Sequence, residues 1–430
     1  MENHYDVLVV GAGISGIGAG YHLQTKCPKK SYAILEGRDT IGGTWDLFRY
    51  PGIRSDSDMY TLGFSFYPWK EKEAIANGPS ILKYLHETSE KFNIKEKIKF
   101  GHYVESASWS TENSLWELKV KSKEQVQKMT CNFIFMCSGY YSYKEGYTPD
   151  FKGIDNFNGQ IIHPQKWTDD VNYNDKNVIV IGSGATAVTI VPEMAKKAKH
   201  VTMLQRSPTY VVSAPEKDPV AKILQNFLPN KAAYFFVRWK NIIRQHWFFT
   251  LCKKNPKRVK DFILSQIRKE LGPNYDIKKH FTPNYNPWDQ RMCLVPNGDL
   301  FESIKNKKAS VVTDQIDHFT DKGIKLKSGD ELGADLVVTA TGLNMELLSN
   351  IELIVDEEKI DLSKTITYKG MMFSGVPNLV STFGYTNASW TLGADLTSEY
   401  VCRLINLMEK KSLKKCCPEA NDNIEQDENY

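Results

Sequence analysis

The chain has 430 residues, 41% hydrophobic and 25% charged, with a formal net charge of +4. This is an ordinary globular composition, long enough for two or three domains with sizeable cores; it excludes disordered and repetitive architectures and offers no argument for nucleic acid as a partner. The eight cysteines show no CxxC and no regular spacing, which fits reduced thiols in a cytoplasmic protein better than a disulfide framework or a zinc site.

The opening MENHYDVLVV enters an apolar, β-branched run almost at once, without the basic region and long apolar stretch of a signal peptide. Residues 5–10 read as a buried parallel strand, GAGISG at 11–16 as a glycine-rich loop, 17–26 as a helix and 31–36 as a second strand ending in Glu36. In such a βαβ unit Gly11 permits the tight turn, Gly13 lets backbone approach a pyrophosphate, Ser15 opens the helix and Gly16 lets helix pack on strand. Glu36 then stands where a carboxylate accepts hydrogen bonds from ribose hydroxyls.

The same pattern returns downstream. NVIVIG at 177–182 reads as a strand, GSGATAV as the loop with Gly182, Gly184 and Ala187 in the three glycine positions, 189–199 as a helix and HVTMLQ at 200–205 as the next strand. Counted from the first glycine of each unit, Arg206 falls nearly where Glu36 stands in the first copy. A carboxylate would repel a 2'-phosphate, whereas a guanidinium grips one, so the second site is expected to prefer NADPH. Two different dinucleotides are implied, and FAD with NADPH is the economical pairing.

MCSGYY at 136–141 and DLVVTATGL at 335–343 each end an apolar strand in a small-residue turn, and they read as two crossings between domains. The expected architecture is α/β, with two Rossmann-like dinucleotide-binding domains and a helical insertion. FAD takes 1–140 and 343–430, NADPH takes 141–213 and 291–342, and the insertion covers 214–290. Residues 221–270 hold twelve Lys or Arg against two acids and many aromatics, so the insertion reads as helices with a solvated basic face that wall a substrate tunnel and suit peripheral contact with anionic membrane. No run reaches about 18 apolar residues, so no membrane-spanning helix is expected.

Two bound dinucleotides fit reductases, oxidases and oxygenases alike. A disulfide reductase needs a redox cysteine pair by the flavin, and no CxxC or CxxxxC is present; Cys416 and Cys417 lie in a charged tail. Two further motifs separate the rest. GGTWDLFRYPGIRSDSD at 42–58 follows Gly-Gly-x-Trp, four residues, Tyr-Pro-Gly, three residues, Asp, and FNGQIIHPQKW at 157–167 follows Phe-x-Gly-x-x-x-His-x-x-x-Trp. Both resemble, at every fixed position, the fingerprints of class B flavoprotein monooxygenases of the Baeyer-Villiger type, and the likeness runs from about residue 4 to about 408 through HVTMLQRSPTY, YNPWDQR, LVPNGDLF and GYTNASWTL.

That resemblance implies an NADPH- and O2-dependent FAD enzyme that inserts oxygen beside the carbonyl of lipophilic ketones and oxidises sulfur in thioamides or sulfides. Heteroatom or long-chain-alkane oxygenation, or an uncoupled NADPH oxidase or non-oxygenating flavoprotein, are the other readings. It further implies Arg291 as the cation that steadies oxyanions and Asp56 as the acid that touches both flavin and that arginine. Thr44, Trp45, Asp46 and Leu47 match the segment along FAD, and Val104 a backbone contact to its adenine half. Ser183, Gly184, Ala185, Thr186, Ala187, Val188 and Thr189, with Arg206 and Ser207, match the NADP-binding residues, and Arg54 and Ser55 approach the nicotinamide end. His163 reads as a structural hydrogen-bonding hub rather than a base, and no cluster has metal-ligand spacing, so no metal is expected. A homo-oligomer is compatible with all of this. The ending NDNIEQDENY is polar and acidic and is expected to be disordered. Members of the resembled family continue for several dozen residues there and use that region on the substrate side, so either the reading frame is cut short or the substrate side is more open than usual.

Overall fold

A computed structural model describes residues 3–385 and 387–420. The acidic ending at 421–430 lies outside them.

In chain order, β1 (His4–Val10), α1 (Ile14–Lys26) and β2 (Tyr32–Leu35) form the first βαβ unit. Three helices follow, α2 (Thr44–Leu47), α3 (Met59–Leu62) and α4 (Gly78–Lys91), then β3 (Ile98–Lys99) and the meander β4 (His102–Ser110), β5 (Leu115–Ser122) and β6 (Gln125–Met136). The crossing strand β7 (Tyr141–Gly146) leads to β8 (Gln160–Ile162) and to the second unit of β9 (Asn177–Ile181), α5 (Ala185–Met194) and β10 (His200–Gln205). After β11 (Val211–Ala214) come α6 (Pro219–Phe227), α7 (Asn230–Lys254), α8 (Pro256–Leu271) and α9 (Ile277–Phe281). The chain returns through β12 (Cys293–Pro296), α10 (Asp299–Lys305), β13 (Ala309–Thr313), the ribbon β14 (Ile316–Phe319), β15 (Gly323–Leu326) and β16 (Glu331–Gly333), and β17 (Leu336–Thr339). It closes with β18 (Leu343–Met345), β19 (Glu352–Val355), β20 (Glu358–Lys359), β21 (Thr367–Tyr368), β22 (Met372–Phe373), β23 (Leu379–Ser381) and α11 (Trp390–Lys410).

Two sheets organise these elements, one mixed and one parallel. The first runs β20-β19-β4-β5-β6-β1-β2-β3. In it β6 is shared: residues 125–131 pair antiparallel with β5, and 134–136 pair parallel with β23. The second, β13-β10-β9-β17-β8, is parallel throughout. Strands covered on both faces need unbroken apolar runs, which is why VLVV of β1 and LVV of β17 are buried. Helix α11 packs along α1 and carries Val401, Cys402 and Ile405 into the core of the first sheet.

Where the chain passes from one sheet to the other, β7 and β18 lie side by side as an antiparallel pair. The 157–167 segment clamps this crossing. His163 donates from Nε2 to the Gly342 carbonyl at 3.0 Å and accepts the Gln165 N–H at Nδ1 at 3.1 Å, while Gln165 donates to the Ser142 carbonyl at 2.7 Å. Its ring fills the place of a side chain on Gly146, where a Cβ would sit 1.9 Å from Cε1. Phe157 and Trp167 are buried at the segment's two ends. One helix differs from expectation. The helix predicted over 189–199 ends at Met194, because Pro192 sits in its last turn and the following turn is tied to the residues just before β9 through Asp175 N–H to Lys197 O and Lys199 N–H to Lys176 O. Among the described residues no helix is long and apolar enough to cross a membrane.

Burial holds His163 below the usual imidazole pKa of 6.5, and its Nδ1 is already an acceptor. A proton there must displace the Gln165 N–H, so the unfolded chain binds protons more readily as pH falls. This stabilising contribution is fully present above about pH 6.5 and declines below it. Urea midpoints at pH 7.5 and 5.5 are expected to fall further for the native chain than for His163→Gln; an equal fall would remove the imidazole from the account.

Candidate active site

The first loop is built by backbone proximity. Gly11 adopts φ +101°, and a Cβ on it would lie 2.6 Å from the Cys137 carbonyl oxygen; on Gly16 it would lie 1.9 Å from the Gly11 oxygen. Gly13 is different, since its Cβ would meet nothing nearer than 3.6 Å, the Gly43 Cα. Gly13 also caps α1 without a side-chain hydrogen bond, so first-turn N–H groups are open to an anion. Ser15 is occupied, accepting the Trp390 indole N–H at 2.7 Å.

Glu36 is buried and accepts the Ala12 and Arg38 N–H groups at 2.8 and 2.9 Å. Burial raises its pKa despite those bonds. Asp46 is buried, and its carboxylate is held by the guanidinium groups of Arg38 and Arg49. Arg38 does line the cavity, beside Tyr143, and its Nη1 is a buried donor without a partner. An orphan donor beside a buried strand-end acid and an uncapped helix fits an anionic dinucleotide. The sequence reading missed Arg38; the only signal was its place two residues beyond Glu36.

The second loop repeats the device. Gly182 adopts φ +140°, and its Cβ would meet the Ala340 oxygen at 2.3 Å, whereas Gly184, at the uncapped start of α5, would meet nothing within 4 Å. Ala187 and Val188 pack inward, and Ser183 donates to the Ser207 carbonyl at 3.1 Å. Arg206 is the first residue beyond β10, as Glu36 is beyond β2, and it is exposed.

A cavity of about 1080 Å³ joins the two loops. Gly11, Gly13, Ser15, Glu36, Thr44, Trp45, Arg54, Ser55, Asp56, Val104, Ala185, Thr186, Thr189 and Arg291 line it. Gly16, Leu47, Gly182, Ser183, Gly184, Ala187, Val188, Arg206 and Ser207 do not line it, lying in helix packing or around the second loop. Tyr140, Phe383 and Trp390 add a stacked aromatic wall that the sequence reading missed, Tyr140 lying 5.6 Å from Phe383 and 5.4 Å from Trp390. Cys137 also lines the cavity, and burial pushes its thiol up to about 12, which leaves it unsuited to thiolate redox chemistry. Among the described residues no group of three or more His, Cys, Asp or Glu side chains could hold a metal ion.

At the centre Arg291 donates to Asp56, 235 residues away in sequence. The Asp56 carboxylate holds the Arg291 pKa above its ordinary value. Arg54 is committed elsewhere, donating to Asp299 at 2.5 Å. Trp288, three residues before Arg291, has φ +66°, lines the cavity and leaves its indole N–H unpartnered. Left-handed backbone in a tryptophan costs of order 1 kcal/mol or more and persists only where surroundings impose it.

The loop bearing Asp56 is anchored on every side. Gly52 at φ +77° lies against α5, where a Cβ would sit 2.9 Å from Glu193 Cβ. Ser55 exchanges two hydrogen bonds with Ala76, at 2.8 and 3.1 Å. Asp58 caps α3 through Thr61 N–H at 3.1 Å and accepts from Asn241 and Gln245 of α7 at 2.9 and 3.0 Å. Replacing Asn241 with Leu leaves a buried carboxylate short of a donor. That costs about 1–3 kcal/mol, and the unfolding midpoint of Asn241→Leu is expected to drop accordingly, with weaker NADPH-linked flavin reduction only if Asp56 is displaced; an unchanged midpoint would count against the anchor.

Residues 5–375 match the family described as FMO-like, flavin-binding monooxygenase-like. The chain is 56% identical over 410 residues to the "FAD-containing monooxygenase EthA" of Mycobacterium tuberculosis (strain ATCC 25618 / H37Rv), covering 95% of this chain and 84% of that protein. It is 49% identical over 423 residues to the "Probable FAD-binding monooxygenase AlmA" of Acinetobacter baylyi, covering 98% and 85%. In fold it resembles OTEMO in complex with FAD and NADP (TM-score 0.80, 23% identity, covering 96% of this chain and 87% of that one). It likewise resembles open cyclohexanone monooxygenase (TM-score 0.81, 21% identity, covering 96% and 89%). With two glycine-loop units meeting at one cavity, the second through Ala185, Thr186 and Thr189, and with likeness along nearly its whole length, the chain belongs to the flavin-binding monooxygenase-like family.

Proposed function

We propose that this enzyme is a Baeyer-Villiger monooxygenase that uses NADPH and O2 to convert lipophilic ketones into esters and to oxidise sulfur in thioamides or sulfides. In this reading FAD lies along the first loop and NADPH along the second. The flavin domain comprises 1–140 and 343–430, the nicotinamide domain 141–213 and 291–342, and the helical insertion 214–290. A cytoplasmic location and peripheral membrane contact complete the proposal. The observation that carries it is the Arg291–Asp56 ion pair on the wall of the cavity between the two glycine loops.

FAD, when bound, would supply two-electron redox chemistry, with NADPH as the reductant and O2 as the oxidant. One oxygen atom enters the substrate and the other leaves as water. The chain's own residues do the rest. Glu36 and Arg38 hold the adenosine half, and the open N–H groups of α1 and α5 hold pyrophosphates. Arg291 presents a guanidinium with five donors, of which Asp56 takes one, so others remain for the substrate's carbonyl oxygen, which becomes anionic when its carbon is attacked. Asp56 aims that fork and leaves it little rotational freedom. Tyr140, Phe383 and Trp390 exclude water from the reacting atoms.

Arg291→Ala is expected to leave anaerobic flavin reduction by NADPH nearly intact while lowering ester formation by roughly 100-fold or more. Stopped-flow absorbance and mass spectrometry with labelled O2 on a long-chain methyl ketone check both halves. Ester formation at the native rate would refute the role, and hydrogen peroxide without labelled ester from the native enzyme would refute the oxygenase reading itself. Arg206→Ala is expected to raise the KM for NADPH by about 10-fold or more while barely touching NADH; equal losses would place 2'-phosphate recognition elsewhere.

A further inference from the structure

The outer face of α6 and α7 is apolar, exposed and unaccounted for by the chemistry above. Along α7, Phe235, Trp239, Ile243 and Trp247 recur every four residues as one stripe, each 49–63% exposed. Beside it on α6 stand Val220, Ile223 and Phe227, the last 80% exposed. This is not a loosely placed helix. Its opposite face is fixed by Arg238, which donates to the Tyr60 and Gly63 carbonyls at 2.8 Å, by Tyr234, and by Asn241 on Asp58.

Charge identifies what the face meets. Residues 219–260 contain ten Lys or Arg and no Asp or Glu. The acid that precedes them, Asp218, is buried, caps α6 and holds Lys240 at 2.5 Å. Lys222, Lys231, Arg244 and Lys254 are exposed on the two striped helices, with Lys257 and Arg258 exposed beyond their end. Aromatic and branched side chains edged by cations form the pattern that settles into the headgroup layer of an anionic bilayer. A symmetric dimer through the same face would set cation against cation.

The helix that carries the patch also reaches the active site, from its other face. Two residues beyond Trp247, Phe249 lines the cavity and packs edge-on against Trp288 at 6.0 Å, and Lys253 lines it one turn later. We infer that α6 and α7 form a docking face for anionic membrane lipid, through which lipophilic substrate passes from the bilayer toward the cavity. The inference rests on the proposed substrate class and gives that site a partner.

Flotation of the flavin-loaded full chain with vesicles tests it. Vesicles of phosphatidylcholine with phosphatidylglycerol are expected to carry the enzyme, pure phosphatidylcholine to carry far less, and about 0.5 M salt to release it. Brominated acyl chains are expected to quench its tryptophan fluorescence. Arg244→Glu and Lys222→Glu should each lower the partition about fivefold or more, and Trp239→Ser with Trp247→Ser should abolish quenching. All four substitutions should leave flavin content, melting temperature and turnover of a small water-soluble ketone unchanged. Absence of flotation, equal binding to neutral vesicles, or self-association that disappears with the Trp239 and Trp247 changes while vesicles stay unbound would each overturn the inference. Vesicle binding is read without turnover, so failure of docking and failure of oxygenation are told apart.

Discussion

The site is organised around a short loop held by contacts on several sides. Between Tyr50 and Asp58 the backbone is pinned by Gly52 against α5, by Ser55 against Ala76, by Arg54 against Asp299, and by Asp58 against α7. These anchors come from the second glycine unit, the first sheet's own helical cover, the start of α10 and the helical segment. Asp56 is therefore placed by several parts of the chain at once, and Arg291, arriving from a distant turn, finds a fixed carboxylate. A flexible acid would pay rotamer entropy for the same contact and aim the guanidinium poorly.

The two glycine units solve one problem twice. Each needs a glycine whose missing Cβ lets backbone touch backbone, at Gly11 and Gly182, and another that leaves room in front of an uncapped helix, at Gly13 and Gly184. They differ beyond the second strand, where one presents a buried carboxylate already bonded to backbone N–H groups and the other an exposed guanidinium. The first position is rigid and half-satisfied, which suits a resident ligand. The second is open to solvent, which suits a ligand that exchanges.

Helix α7 serves both sides of the molecule. Inward it places polar groups on Asp58 and on the carbonyls at the end of α3, contacts that steady the loop bearing Asp56. Outward it is aromatic and basic, and its last turns close the cavity. A helix amphipathic in the usual sense would bury the aromatics and expose the polar groups. Here the polar groups are inside because they have partners, and the aromatics are outside.

What the sequence determined by itself was local or long in pattern. Strand, glycine loop, helix, strand and terminal charge fall within about thirty residues, so their spacing alone carries the dinucleotide units. The two fingerprints carry the family because many fixed positions must agree. His163 was legible as a hub, since a lone imidazole between two units has no partner set for catalysis or metal. Contacts between distant residues were not legible. Asp46 is held by both Arg38 and Arg49, Arg38 is left with an orphan donor, Trp288 is forced into left-handed backbone, and Asn241 reaches Asp58 across 183 residues. Only tertiary structure decides which of several plausible partners a charge meets and which face of a helix is covered, because each is settled by competition among side chains that no local window contains together.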